Sequence, residues 1–191
     1  VYRALALLVV ACHAEADDTN FTRDRIDEYD LSGHFTPKER EFLAPALNYN
    51  GQSLFGSVVS FFTSLTDPEV EQRRTNFLWR YESAWVLLWS LGYVEELSYP
   101  SERCDVPAAV RAVKGKSVEK ILKGAQLRSK AELLDETDLI YRYHWALVNA
   151  RITGAPPPAG LSGSVVYERH YALNWLTQYC DQDWDDVSTD T

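Results

Sequence analysis

The chain carries 191 residues, 46% of them hydrophobic and 25% charged, with a formal net charge of −9. These proportions suit a folded, soluble domain and exclude a wholly disordered chain. The acidic surplus repels phosphate backbones, so nucleic acid is not expected as a partner, and a basic protein or cationic ligand is favoured instead.

At the N-terminus, Arg3 precedes the apolar run 4–11 and the Ala14-Glu15-Ala16 triplet, which together imitate a signal peptide. The run is read instead as a first core helix over 3–17 in a chain whose start has been trimmed, Val1 leading and Met being absent. It is too short to cross a bilayer. No membrane partner is expected, and a cytoplasmic location is. On that reading the Asn20-Phe21-Thr22 sequon carries no glycan.

Residues 18–35 read as polar and irregular. Thr36-Pro37-Lys38-Glu39 is a capping box with Pro at the first helical position, opening a short helix before Pro45. The segment 46–65 is ambiguous: Ser57 to Phe62 suits a minor strand or a buried helical turn, and periodicity does not separate them. Thr66-Asp67-Pro68-Glu69 opens a long helix that runs to Leu91 and stops at Gly92. Short helices follow from Asp105 to Gly115 and from Ser117 to Gly124. A second capping box, Ser129-Lys130-Ala131-Glu132, opens a helix ending at Gly154 and the three prolines 156–158. The last helix covers Val165 to Tyr179, capped by Ser162 or Ser164. The expectation is an all-α, single-domain multi-helix bundle, with an N-terminal part over 1–65 and a helical core over 66–191.

Several long helices place polar residues where apolar ones belong. Glu82 interrupts the stripe Leu78, Trp85, Trp89, and Asp138 interrupts Leu134, Tyr141, Trp145, Val148. His144 and Arg151 share a stripe with Ile140 and Leu147. Arg169 lies among Val165, Ala172 and Leu176, and His170 between Val166 and Leu173. A buried charge without a partner costs several kcal/mol, so these acids and bases must find one another. The inventory sets Glu82, Asp138 and Glu168 against Arg142, Arg151 and Arg169, with Asp138 and Arg142 at i, i+4 on one helix. Glu82 and Asp138 are each expected to be buried and paired with Arg142 or Arg169. Two readings stay open. One is a structural network that fixes how three helices cross. The other is a pocket floored by this network, with Trp85, Tyr141, Trp145 and Trp175 as aromatic walls or core, and with His144 or His170 titrating near neutral pH.

Three runs carry a family likeness: Leu134-Asp135-Glu136 through Asp138-Leu139 and Tyr141-Arg142 to His144-Trp145-Ala146; Val165-Val166 with Glu168-Arg169-His170 and Ala172 to Leu176; and Asp183 to Val187 with Thr189-Asp190-Thr191. With Trp79-Arg80, Glu82-Ser83, Trp85 and Leu87 to Gly92, they resemble the bacterial DUF4272 family. The resemblance is good over 67–191 and loose over the first 65 residues. It implies no activity, cofactor or catalytic residue.

The chemistry motifs are mostly missing. There is no GxGxxG, P-loop or HExxH, and Gly160-Leu161-Ser162-Gly163 is not a nucleophile elbow. Asp181, Asp183 and Asp185 begin like a calcium loop, but Asp186 stands where that loop needs Gly. Cys12, Cys104 and Cys180 are widely spaced and read as free thiols; with His144 and His170 they offer no pair at helical ligand spacing, so no specific metal and no cofactor are expected. Two functions remain. The first is a binding or regulatory module contacting another protein, as toxin-neutralising immunity proteins do. The second is an enzyme using Glu82, Asp138, His144 and His170 for acid–base chemistry, with arginines holding a small anionic substrate. A deep pocket reaching the cluster would favour the enzyme. A solid interior with an exposed aromatic patch would favour the module.

Overall fold

The computed structural model describes residues 1–47 and 68–191, and these are helical with no strand among them. Most of the ambiguous segment 46–65 lies outside the described residues. The helices are α1 (Tyr2–Ala16), α2 (Thr19–Glu28), α3 (Pro37–Phe42), α4 (Ala44–Leu47), α5 (Pro68–Leu78), α6 (Arg80–Ser90), α7 (Val106–Val113), α8 (Val118–Gly124), α9 (Lys130–Thr153) and α10 (Gly163–Leu176). Short 3-10 turns at Pro158–Gly160, Tyr179–Asp181 and Trp184–Asp186 join or follow the last two helices.

The apolar N-terminal run becomes the central helix. Every residue from Ala4 to Ala11 is at most 4% exposed, which is why no polar face interrupts it. Burying each Leu or Val of this run stabilises the fold by roughly 1.5–3 kcal/mol. α1 packs against α6, α5 and α2, and α6 packs in turn against α10. The core therefore lies between α1, α6 and α10, and α9 covers α10 from outside. No helix among the described residues is long and apolar enough to cross a membrane.

Both predicted capping boxes form, at Thr36 with Glu39 and at Ser129 with Glu132. Gly92 ends α6 at φ +78°. The Tyr93 N–H reaches back to the Leu88 carbonyl at 2.9 Å and the Gly92 N–H to that of Trp89 at 3.0 Å, as a left-handed helix stop requires. A Cβ at Gly92 would stand 2.8 Å from the Gln126 carbonyl oxygen, so only glycine fits there.

Two expectations need correction. Residues 18–35 are not wholly irregular: Asp18 caps α2 by accepting from the Asn20 and Phe21 N–H groups. The long helix from 67 to 91 is broken at Trp79, where the Trp79 N–H reaches the Thr75 carbonyl at a stretched 3.4 Å. No proline or glycine lies there and Trp79 keeps right-handed helical φ and ψ, so the break is a local stretch of the helical ladder; α5 packs on α1, and α6 on both α1 and α10.

Candidate functional site

The polar residues on apolar stripes divide into an interior network and an outer face. Inside, Glu82 is fully buried and Arg169 is 1% exposed. The Arg169 Nε donates to Glu82 Oε2 at 3.1 Å. The other carboxylate oxygen accepts from the Cys104 N–H, and Arg169 Nη1 donates to the Ser98 carbonyl. One ion pair thus ties α6 and α10 to the loop between α6 and α7. Among the described residues the buried Arg169 Nη2 has no hydrogen-bond partner. Glu136 on α9 feels the Arg169 charge, which partly offsets the rise that burial imposes on its carboxyl. Burial, with Glu82 beside it, also pushes the Cys104 thiol well up, so that thiol stays protonated.

Glu168 enters a second interior pair. Its Oε2 accepts from Arg80 Nη1 at 3.2 Å and from Ser83 Oγ at 2.6 Å. Burial raises its carboxyl, and Arg80 opposes that rise. The Arg80 guanidinium lies over the rings of Tyr171, at 4.6 Å, and Trp184, at 5.8 Å. Arg3 lies 5.2 Å from the Trp184 ring and clamps Glu39 with two contacts of 2.6 Å. Arg80 and Arg3 stand outside the stripes that single out Arg142, Arg151 and Arg169. Arg80 sits two residues before Glu82, inside the quoted Trp79-Arg80-x-Glu82 block, and was readable there.

Asp138 departs from expectation. It pairs with Arg142 at 2.8 Å along its own helix, as the i, i+4 spacing led one to expect, but the pair lies in solvent, with side chains 60% and 72% exposed. It is neither buried nor joined to Arg169. The reason lies in α9, which carries apolar residues on two sides: Leu133, Ile140 and Leu147 face the core, leaving the Leu134–Asp138–Tyr141–Trp145 stripe outside. Arg151 is exposed too, although its charge reaches His144. The four aromatics do not form one pocket. Trp85 and Trp175 pack on the core, the latter edge-on to Trp184 at 5.3 Å, whereas Tyr141 and Trp145 are 42% and 54% exposed.

His144 and His170 join α9 to α10. Their Nδ1 atoms are 2.8 Å apart and the rings meet edge to face at 86°. Such a contact needs one Nδ1 with a proton and one without, so at most one ring carries a charge. Burial, then the neighbouring His144, pulls His170 down to about 4, and burial, then Arg151, lowers His144. Both shifts run downward from the ordinary histidine value, and His170 is the further displaced of the two.

His170 also lines a surface cleft of about 270 Å3, with Asp138, Tyr141, Asn174, Tyr179 and Asp190. Asn174 Nδ2 donates to the Ser188 carbonyl at 2.8 Å, Gln182 accepts from the Ser188 N–H at 2.7 Å, and the Asp190 N–H donates to Ser188 Oγ. These bonds fix the C-terminal segment beside α10 and bring Asp190 to the rim. A second cleft of about 300 Å3 lies beside Arg80 and Trp184. Its charges are already engaged: Arg73 with Glu41, Arg3 with Glu39, and Lys38 with Asp185. Among the described residues no three His, Cys, Asp or Glu side chains converge as metal ligands. The three cysteines are free thiols.

The molecule is thus an all-α protein whose interior is locked by arginine–carboxylate pairs and whose outer helix shows aromatic and acidic side chains together. The chain belongs to the DUF4272 family, a domain of unknown function, whose family model matches residues 1–187. That match reaches back through α1, beyond the region where the likeness was clear from motifs. No curated protein and no solved structure matches the chain.

Proposed function

We propose that this chain is a protein-binding module that docks a helix of another protein along the outer face of α9. The supporting observation is the seam Leu134, Asp138, Tyr141, Trp145, Val148, Ile152. Its 4-3-4-3-4 spacing is that of a coiled-coil contact line, and Leu134, Tyr141, Trp145 and Ile152 are 46%, 42%, 54% and 76% exposed. Large aromatic side chains aligned on one exposed face are the usual anchors of a protein interface. α9 packs lengthwise on α10 by its other face, which keeps the seam rigid.

The interior supports the same reading. Glu82 and Arg169 lie in solid core, where no small substrate reaches them. Acid–base chemistry on an anionic substrate would call for a cationic cleft, and the one at His170 is rimmed by Asp138 and Asp190.

The test is photo-crosslinking in cells, with p-benzoyl-phenylalanine in place of Trp145 or, as a control, of Leu122, which is 47% exposed on α8. A discrete adduct with one other protein from position 145 and none from position 122 is expected. Equal smears from both positions, or an adduct with the chain itself, would overturn the reading.

A further inference from the structure

We infer that the cleft at His170 receives a cationic side chain of the docked partner, Asp138 and Asp190 supplying the charge and Tyr141 and Tyr179 the aromatic flanks. The inference rests on the docking reading above and adds the chemistry of the partner.

Asp138 is the polar position in the otherwise apolar seam, and a polar residue at such a place fixes the register of a helix pair. It also stands on the wall of the cleft, so a helix lying along α9 passes over the opening. Asp138 already holds Arg142, but that pair is exposed on both sides and worth little, so a better-placed cation displaces it. Tyr141 and Tyr179 are 42% and 46% exposed and line the same cleft. Tyrosine faces attract guanidinium and ammonium groups. The net charge of −9 draws a basic segment toward this surface.

The floor is the second, independent pointer to a ligand. His170 is 1% exposed yet lines the cleft, and among the described residues its one hydrogen bond is the Nδ1 contact to His144. That leaves Nε2 for whatever enters. With Nδ1 accepting from His144, Nε2 carries the proton. With Nδ1 donating, Nε2 is a bare acceptor. Because His170 stays neutral down to about pH 4, it does not repel a cation. A guanidinium N–H selects the second state: the contact proton passes to His170 Nδ1, the His170 Nε2 proton is released to solvent and His144 Nε2 takes one up, so both rings stay neutral.

The experiment titrates the full-length protein with Nα-acetyl-arginine amide and follows the histidine ring nitrogens by 15N NMR. The His170 Nε2 signal should move saturably toward the unprotonated, pyridine-type range. Nα-acetyl-citrulline amide, its uncharged analogue, should bind at least fivefold more weakly, and so should arginine amide to the variant carrying Asp138→Asn and Asp190→Asn. Both aspartates are exposed, so that variant keeps its fold, which an unchanged melting temperature verifies. A partner cross-linked from position 141 should carry Arg or Lys in the attached segment. No saturable change at His170, or equal binding of arginine and citrulline, overturns the inference while leaving the docking reading intact. Arginine binding with no partner adduct at position 145 also overturns it, since the cleft would then serve a free small cation.

Discussion

Removing one member of the Glu82–Arg169 pair should cost far more than removing any surface charge. Glu82 is fully buried and Arg169 is 1% exposed. Glu82→Ala leaves the guanidinium in the core with one acceptor, the Ser98 carbonyl, and leaves the Cys104 N–H without its partner. An uncompensated buried charge costs roughly 3–5 kcal/mol. That is a large share of a total stability of about 5–15 kcal/mol. For a domain of this size each kcal/mol moves the melting temperature by about 2–4 °C, which places the fall at roughly 6–20 °C. Circular dichroism melts of Glu82→Ala, Arg169→Ala and the double variant would measure it. The double variant should be much more stable than additivity requires, because neither charge is then stranded. Additive losses, or a Glu82→Ala change below about 1 kcal/mol, would refute the argument that this pair locks α6 to α10.

Three further outcomes follow from the same geometry. Asp138→Ala should change stability by less than about 1 kcal/mol in urea denaturation, since both members of its pair are exposed. A larger loss would mean that Asp138 supports the fold rather than the surface. His170, held at about 4 against an ordinary 6.5, binds its proton more weakly in the folded chain than in the unfolded one. Its contribution to stability therefore falls as pH drops from about 6.5 to about 4 and is level above that window. His170→Phe should remove this part of the acid dependence; identical pH–melting curves for the two proteins would contradict it. Gly92→Ala sets a side chain at φ +78° against the Gln126 carbonyl oxygen, and a destabilisation of about 1–3 kcal/mol by thermal melting is expected.

Helix ends were the best-marked part of the sequence, because caps are local: Thr36, Ser129, Gly92 and Gly154 do in the structure what their chemistry demands. Asp18 marks the start of α2 by the same chemistry, but its polar neighbours carry no apolar stripe to show the helix behind it. The break at Trp79 had no local signal, since neither proline nor glycine lies there. Glu82 and Arg169 were each legible as charges on buried stripes, but not as each other's partner, since spacing left Arg142 open to Glu82 and Asp138 open to Arg169. Asp138 looked the same and is not. Periodicity shows that α9 has apolar stripes, but not which of two faces the core: Leu133, Ile140 and Leu147 do, one position before Leu134, Tyr141 and Val148. Asp190 and Tyr179 reach the cleft only through the fold of the C-terminal segment, so no spacing announced them.

The docking of a partner on the outer face of α9 is tested most directly by hydroxyl-radical footprinting of the free chain and of its complex with the cross-linked partner. In the free chain Trp145 and Ile152, 54% and 76% exposed, should oxidise readily. In the complex Tyr141, Trp145 and Ile152 should be protected together, while Leu122 and Leu127, exposed elsewhere, react as before. Protection confined to another face, with Trp145 still fully reactive, would contradict the account.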